Sequence, residues 1–451
     1  MMRKIGSILA TFLFCAQAFI ACSNSESYTD VQNFVEPQTA LDEASRIDTV
    51  SLNDSTETDT TSTADTTQAD SSALEDSVAT DTTTLGDTTE VDSTVADTTE
   101  EDPDLHLTLI ENGISSGNLY LFYPVDTFLT KFEHGDIVTL AIDGYDTVDI
   151  PIAEYSNDVP IAGFLISAIA GNDYLTLSVH NGRFAEIFGI TPDKAPINVT
   201  ISMKEKGGFL FGLEMVQVQN MYYYTENYPD LSIEEFANFR EVRTTGMGEK
   251  KLYRSSSPVD PGLGRNYYVD SLAEEAGIAT FINLADSENS ARSFRSFETS
   301  YYAKQNVIFL ALPVEFFSKP FQEGLVKGYR FMIEHEGPYL AHCTYGMDRT
   351  GFTIAVLEAL MGATSEELAE DYAKTFSNYY NVIDGRQVAL NEKQVDFFKN
   401  VVLRNLKAIF HAEGIEVPDV RNADWAPATE QYLEKIGLTP QEISDLKDRL
   451  K

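Results

Sequence analysis

The stretch that decides the fold of the C-terminal half is Tyr339-Leu-Ala-His-Cys-Thr-Tyr-Gly-Met-Asp-Arg-Thr-Gly351. An apolar strand over Tyr339–His342 leads directly into Cys343, and an apolar helix over Thr350–Met361 follows the loop. A loop between a strand and a helix N-terminus suits an anion, because successive backbone N–H groups and the helix dipole converge on one negative charge. We therefore expect a phosphate-binding loop at residues 343–350.

Two side chains of this loop would carry the chemistry. The loop N–H groups and the helix dipole would stabilise the thiolate of Cys343, and a thiolate is a strong nucleophile that can form a covalent intermediate. Arg349 presents a planar fork that matches two phosphoryl oxygens. A lone cysteine is more often a small buried apolar side chain, and it is the surrounding loop that favours a nucleophile here.

The remaining residues of the loop would hold it in shape or bind the phosphate. Gly346 allows a close backbone approach or a positive φ, and Thr350 would cap the helix and hydrogen-bond the sulfur. His342 would orient the loop and is not a candidate metal ligand, because no second His or Cys lies at a ligand spacing. We expect neither a metal nor a cofactor, and we expect the phosphate to be bound by Thr344, Tyr345, Gly346, Met347 and Thr350.

From about Leu231 onward, short apolar strands alternate with amphipathic helices, which is typical of an α/β layer fold. The predicted strands are Lys251–Tyr253, Thr280–Leu284, Val307–Leu312 and Tyr339–His342. The predicted helices are Val269–Ala276, Phe321–His335, Thr350–Met361, Ser365–Ser377, Glu392–Ile409, Pro427–Ile436 and Pro440–Leu450. Residues 226–451 are therefore expected to form a central sheet flanked by helices, with Trp425 packed between the last helices.

The pattern His-Cys-x-x-Gly-x-Asp-Arg-Thr-Gly at residues 342–351 resembles the loop of bacterial protein tyrosine phosphatases of the atypical, lipid-phosphatase-like branch. Asn238-Phe-Arg-Glu-Val242 is similar to that family's Asn-Phe-Arg-Asp opening, and Leu252-Tyr-Arg-Ser-Ser256 is similar to its Leu-Phe-Arg-Ser strand. The resemblance covers about residues 235–450. It implies a cysteine-dependent phosphatase fold and a metal-free mechanism in two steps, attack by Cys343 and hydrolysis of the phosphocysteine.

The resemblance also implies where the general acid lies. This branch carries its acid inside the loop, at the position of Asp348, although a carboxylate there could instead brace the loop through backbone N–H groups. Most tyrosine phosphatases use an Asp on a separate loop, and the equivalent segment here offers Glu315 as the second candidate. Asp286 is the third. Many family members have Lys before the loop Asp, where this chain has Met347, and the family's Asp-Leu-Arg reads Asn-Leu-Ala at 283–285.

Residues 105–225 read as a small all-β barrel or sandwich of short strands separated by Gly and Asn-Asp breaks. The predicted strands are His106–Ile110, Leu119–Tyr123, Ile137–Ile142, Thr147–Ile152, Tyr174–Val179, Ile197–Met203 and Phe209–Val216. The stretch at 175–190 resembles one strand–turn–helix unit of the β domain of S-adenosylmethionine hydroxide adenosyltransferases. That short likeness implies nothing about adenosylmethionine, and we expect this domain to be structural or to orient the substrate.

The N-terminus reads as an export signal followed by a spacer. Residues 1–21 contain Arg3 and Lys4 and then an apolar run of about 13 residues, shorter than the roughly 20 that span a bilayer. Phe19-Ile20-Ala21-Cys22 resembles the lipobox of bacterial lipoproteins, although a simple secretory peptide is the alternative. Residues 22–104 are rich in Ser, Thr, Asp and Glu and are expected to be a disordered spacer. The protein would thus be lipid-anchored through Cys22, in the periplasm or on the cell surface.

The net charge excludes one class of partner. The chain carries −39, and residues 23–104 hold 22 acidic residues against the single base Arg46. Residues 105–451 are still acidic, and nucleic-acid binding needs clustered Lys and Arg. The expected substrate is a phosphorylated protein, small molecule or lipid bound in a local electropositive pocket.

Three other functions remain open. The first is a phytase-like inositol polyphosphate phosphatase, although such enzymes typically have Gly at the position of Asp348. The second is a pseudophosphatase or phosphate-binding surface module, which would not need the thiol of Cys343. The third, a rhodanese-like sulfurtransferase, fits the Arg-Thr-Gly end of the loop poorly.

Overall fold

The computed structural model describes residues 103–115, 117–217, 223–380 and 382–451. The predicted signal peptide, Cys22 and nearly all of the predicted spacer lie outside these described residues. Residues from Glu101 to Lys451 form one compact unit. Within the described part of the chain, no helix has the length and apolar character needed to cross a bilayer.

The first part of this unit is a seven-stranded sheet, and we call residues 103–217 the β unit. Its strands are β1 Leu105–Leu109, β2 Leu119–Leu121, β3 Ile137–Ile142, β4 Val148–Ala153, β5 Phe164–Ser167, β6 Leu175–Val179 and β7 Ile197–Glu205. They are ordered β1-β7-β3-β4-β5-β6-β2, and all neighbours are antiparallel except β4 and β5. Buried and half-buried residues alternate along β3, so that Val138, Leu140 and Ile142 face the core.

Two expectations for the β unit are wrong. Residues Phe209–Val216 were expected to be a strand, but Leu210–Gln217 is a helix. A short apolar run has no unambiguous period, and the turn at Gly207 starts a helix with Phe209 and Met215 turned to the core. Strand β5 was not expected. The other helices of the β unit, with α3 at Leu210–Gln217, are α1 Val125–Phe128 and α2 Phe184–Phe188.

The second part contains a five-stranded sheet whose edge positions the site. Its strands are β8 Arg240–Glu241, β9 Leu252–Ser255, β10 Thr280–Asn283, β11 Asn306–Phe309 and β12 Tyr339–His342. The order is β11-β10-β12-β9-β8, with only β8 antiparallel. In the register of the central strand, His342 lies beside Asn283 on one side and Ser255 on the other. The carboxyl ends of three parallel strands therefore meet where Cys343 begins, the usual place for a ligand site in such sheets.

Helices cover both faces of this sheet, as predicted for an α/β layer fold. They are α4 Ile233–Phe236, α5 Asn266–Glu275, α6 Glu288–Ser293, α7 Lys319–Glu334, α8 Asp348–Met361, α9 Ser365–Ser377, α10 Glu392–Ala412, α11 Trp425–Ile436 and α12 Pro440–Leu450. Alternate residues of β12 separate two cores, with Leu340 packed in one and Tyr339 and Ala341 in the other. Trp425 is buried among the last helices as predicted, and its indole N–H donates to Ser365 Oγ at 2.8 Å.

The β unit packs against the second part at several places among the described residues. Phe164 of β5 contacts Phe317 edge to face, with ring centroids 6.0 Å apart. Phe209 and Phe211 contact Phe397 on α10 at 6.4 and 6.2 Å. The predicted boundary between the two domains at residues 225 and 226 stays a prediction.

Candidate active site

The predicted loop has the expected local structure. Cys343 directly follows β12, residues 344–346 turn the chain, and α8 begins at Asp348 with Met347 as its N-cap. Cys343 is buried, with 3% of its surface exposed, and part of it packs in the apolar core. The strand, loop and helix thus bring the sulfur to the N-terminal end of a 14-residue helix, where the partial positive charge of the helix is greatest.

The carbonyl groups of the loop are bound from behind by other parts of the chain. Thr344 O accepts from the backbone N–H of Ser257 at 3.1 Å. Two donors reach Tyr345 O and two reach Gly346 O: Asn238 Nδ2 at 3.2 Å and Tyr379 Oη at 2.8 Å for the former, Asn238 Nδ2 at 3.3 Å and Arg254 Nη2 at 2.9 Å for the latter. In a trans peptide the C=O and N–H point in opposite directions. The N–H groups of residues 345–347 are therefore aimed away from these donors, as an anion cradle requires.

The structure confirms the positive φ and the close backbone approach that were predicted for Gly346. Its φ is +70°, a value that side chains with a Cβ rarely adopt. A Cβ at this position would also lie 2.3 Å from Ser255 O and 2.9 Å from Asn238 Nδ2. Only glycine allows the loop to lie directly against the end of β9.

Arg349 occupies the first turn of α8 and is half-buried. Its Nη1 donates to Leu312 O at 3.0 Å, so the segment after β11 fixes one arm of the guanidinium. Its positive charge also acts to lower the pKa of three groups, Asp348, Asp286 and His342, on each of which burial has the larger effect. It favours the ionised form of the two carboxyl groups and disfavours the charged imidazole. One guanidinium thus links the loop to the ends of two strands.

The first candidate acid, Asp348, is partly exposed at the start of α8. Desolvation raises the pKa of Asp348 to about 6, although the charge of Arg349 and a backbone hydrogen bond act in the opposite direction. A carboxylic acid with a pKa near the working pH suits proton donation to a leaving group. The raised pKa of Asp348 is compatible with proton donation, and its role as the general acid stays a prediction.

The two other candidate acids lie in different surroundings. Glu315 is exposed on the segment between Leu312 and α7. Burial raises the pKa of Asp286, which accepts from Asn283 Nδ2 at 3.1 Å. Asp286 is thus tied to the end of β10, so its carboxyl group already has a structural partner.

Two further expectations concerned Thr350 and His342. Thr350 does not cap α8, because the helix begins two residues earlier, at Asp348; its hydroxyl is buried and has no hydrogen-bond partner among the described residues. His342 is buried, with Nε2 3.2 Å from Tyr302 Oη, and burial lowers its pKa to about 3. Phe316, on the segment before α7, is buried and stacked on Phe352, with ring centroids 4.9 Å apart.

Sequence reasoning missed a group of polar residues behind the loop. Arg254 donates from Nη2 to Gly346 O and from Nη1 to Asp371 Oδ2. Arg240 donates from Nε to Asp371 Oδ1 at 2.7 Å and from Nη1 to Asn238 Oδ1 at 2.8 Å. The two arginines belong to segments that the family resemblance had pointed out. Asp371 lies on α9, 21 residues beyond the end of the loop at residue 350, and has no local sequence signal.

The arrangement can bind an oxyanion and offer it a sulfur nucleophile, a guanidinium and a protonated carboxyl group. These are the parts that transfer of a phosphoryl group to cysteine would need. Among the described residues, no group of three or more His, Cys, Asp and Glu is placed to hold a metal ion.

Comparisons with known proteins agree with this geometry. A family model described as "Tyrosine phosphatase family" matches residues 231–451, which contain the five-stranded sheet and the whole loop. The match supports phosphatase activity in general, a hydrolase acting on phosphate esters, for this part of the chain.

The other comparisons add little. No curated protein matches the chain. The crystal structure of an uncharacterized conserved protein from Thermotoga maritima is 17% identical with a TM-score of 0.20, over 23% of this chain and 37% of that one. The matched part thus spans little more than a third of that protein, and so low a TM-score supports no shared fold.

Proposed function

We propose that this chain hydrolyses phosphate monoesters through a phosphocysteine formed on Cys343. The observation that carries the proposal is the loop itself, whose carbonyl groups are bound from behind so that its N–H groups are directed away from those donors, between Cys343 and Arg349. Backbone N–H groups arranged in this way stabilise both the thiolate and the phosphoryl oxygens.

The reaction would proceed in two steps. The sulfur of Cys343 attacks phosphorus, the bond to the ester oxygen breaks, and Asp348 gives its proton to the leaving oxygen. Water then attacks the phosphocysteine, with the ionised Asp348 accepting a proton, and inorganic phosphate leaves while the thiolate is restored. Arg349 binds two phosphoryl oxygens through both steps.

We infer that the substrate is phosphotyrosine or a related protein or lipid phosphate. Tyr345 is half-buried at the loop, with its ring 6.2 Å from that of Tyr379, and such a flat side chain suits an aryl ester. Met347 supplies no positive charge where the resembling family often has Lys, which favours a singly phosphorylated substrate over an inositol polyphosphate.

We also propose that the protein is exported and anchored by a lipid on Cys22. This placement would bring the phosphatase to substrates outside the cytoplasm. Metabolic labelling with a radioactive fatty acid, beside Cys22→Ser, tests it: the label should be lost in the variant, and equal labelling of both proteins would rule out the anchor.

The function is tested by hydrolysis of a chromogenic aryl phosphate by the purified chain in EDTA. The wild-type protein should turn over, and Cys343→Ser should lose essentially all activity, because a hydroxyl is not ionised at neutral pH. Rapid acid quenching with radioactive substrate should trap label on the wild-type protein alone. Strong activity in Cys343→Ser would refute the mechanism, and tight phosphate binding without turnover would favour a binding module.

A further inference from the structure

The loop is supported by a set of four polar residues that lie on its far side from the N–H groups. We call Asn238, Arg240, Arg254 and Asp371 the brace. Asn238 and Arg254 contact the loop directly, through Tyr345 O and Gly346 O. Arg240 and Asp371 do not touch the loop, so their role must be exerted through the other two.

Asp371 is the residue that joins the members of the brace. Its two carboxylate oxygens accept from different guanidiniums, Oδ1 from Arg240 Nε at 2.7 Å and Oδ2 from Arg254 Nη1. Its backbone carbonyl accepts from Arg240 Nη2, also at 2.7 Å. One carboxylate therefore sets the orientation of both arginines.

The energetics make this carboxylate hard to replace. The side chain of Arg254 is 1% exposed, and that of Asp371 is 12% exposed. A buried guanidinium is stable only when it is paired and hydrogen-bonded. Burial alone would raise the pKa of Asp371, but the charges of Arg240 and Arg254 outweigh it and lower the pKa to about 2. Asp371 is therefore ionised throughout the physiological range.

We propose that Asp371, on α9, is a positioning residue that fixes the phosphate-binding loop through Arg254 and, by way of Arg240, through Asn238. The proposal rests on the phosphatase function proposed above. Without the carboxylate, Arg254 loses the partner that aims Nη2 at Gly346 O, and Arg240 loses the one that holds Nη1 on Asn238 Oδ1. The loop carbonyls would then be free to rotate, and the N–H groups of the same peptide units would no longer be directed at a bound phosphate.

The test compares Asp371→Asn with a matched control in the same buried cluster. Glu358, on α8, is 1% exposed, and burial raises its pKa well above the usual range. Glu358→Gln removes this ionisable group but keeps its shape, and it leaves the carboxylate of Asp371 in place. Among the described residues, the donors to the loop carbonyls are Ser257, Asn238, Arg254 and Tyr379, and Glu358 is not one of them.

Two measurements on each variant separate positioning from stability. The first is the pH dependence of alkylation of Cys343 by iodoacetamide, which reports how well the loop stabilises the thiolate. In Asp371→Asn the midpoint should move to higher pH, and in Glu358→Gln it should stay at the wild-type value. The second is kcat/KM, which should fall roughly ten- to a hundredfold in Asp371→Asn, the size expected when catalytic groups are misplaced. Asp371→Glu, which keeps the charge, should recover part of both.

A further variant keeps the test decisive if Asp371→Asn does not fold. Thr375 Oγ1 accepts from both guanidiniums, at 3.0 and 3.3 Å, and Thr375→Val removes that acceptor without changing a charge. It should shift the alkylation midpoint in the same direction by a smaller amount. An unchanged midpoint in either folded variant, or an equal shift in Glu358→Gln, would overturn the proposal.

Failure of this inference is distinguishable from failure of the phosphatase function. Alkylation needs no turnover, so a wild-type protein that hydrolyses nothing still allows the comparison of midpoints. Conversely, an active wild-type enzyme with an unshifted Asp371→Asn variant would leave the phosphatase function intact and reject the role of Asp371.

Discussion

The β unit and the second part of the chain differ in the side chains that they bury. We call the second part, residues 223–451 with the five-stranded sheet and its helices, the five-stranded layer. Inside the β unit, the buried side chains are almost all apolar, and the polar exceptions are Asp136, Ser167 and Ser178. Asp136 is used locally, accepting from the backbone N–H groups of Glu133 and Gly207 at 2.8 and 2.7 Å. In this unit, buried polar groups serve the turns of the sheet.

The five-stranded layer instead buries arginines, asparagines and a carboxylic acid, and two of them contact the loop. Arg254 and Asn238 are 1% and 0% exposed, and both donate to loop carbonyls. Burying such groups is unfavourable unless their hydrogen bonds are satisfied. The buried polar groups that contact the loop therefore hold its conformation, whereas the β unit has no comparable group among its described residues. We therefore expect substitutions in the layer to change activity and those in the β unit to change stability only.

The largest effect should come from Arg349→Ala. This change removes the guanidinium that would bind two phosphoryl oxygens, and a comparable arginine in phosphoryl transfer is worth roughly 10³- to 10⁵-fold in rate. Steady-state hydrolysis of an aryl phosphate measures the loss in kcat.

Arg349→Lys is the control, because it keeps the charge but not the planar fork. It should recover little of the rate, since a point charge cannot bind two oxygens side by side. Near wild-type kcat in Arg349→Ala would remove the main reason for placing the chemistry in the layer.

The next largest effect should come from Asp348→Asn. If Asp348 gives its proton to the leaving group, its loss should lower kcat by roughly 10²- to 10⁴-fold. The pKa of Asp348 is raised to about 6, and only the protonated form can donate. Wild-type activity should therefore fall as the pH rises through about 6, and that limb should be missing in the variant.

Two matched variants test whether Asp348, and not Glu315 or Asp286, is the general acid. Glu315→Gln and Asp286→Asn should each keep the limb near pH 6 and lose little rate with a substrate whose leaving group is poor. A pH profile that loses the limb in Glu315→Gln instead would transfer the role to the exposed carboxylate.

The sequence predicted the layer better than the β unit, for physical reasons. The strand Tyr339–His342 and the helix Ser365–Ser377 have the predicted bounds, because a buried strand before a loop and a capped amphipathic helix are local patterns. The prediction of a strand at Phe209–Val216 is wrong, since a stretch of eight residues that is mostly apolar fits a strand and a short helix equally well.

The site, too, contains residues that the sequence predicted and residues that it did not. Cys343, Gly346 and Arg349 lie within seven residues of one another, so their spacing alone indicates an anion loop. Asp371 reaches Arg254 and Arg240 across 117 and 131 residues. On α9 it looks like any charged residue of an amphipathic helix, because only the tertiary fold brings the two arginines to it. Residues that act through others at such distances leave no pattern in a single sequence.

The smallest effect on rate should separate the two regions most clearly. Phe128→Ala and Phe352→Ala remove equally buried rings, 0% and 2% exposed, each stacked on another phenylalanine. Both should lower the free energy of unfolding by about 3–5 kcal/mol, measured by urea denaturation. Phe128 packs on Phe132 inside the β unit, so kcat of the folded protein should stay within about twofold of wild type.

Phe352 follows Arg349 by three residues on α8 and supports Phe316, so its loss should also lower kcat several-fold. This difference follows from location alone, because the deleted group and its burial are the same. A wild-type kcat in both folded variants would mean that the first turn of α8 is held by the brace and the loop without help from the apolar core. An equal drop in both would mean that the β unit takes part in setting the site, through the contact of Phe164 with Phe317.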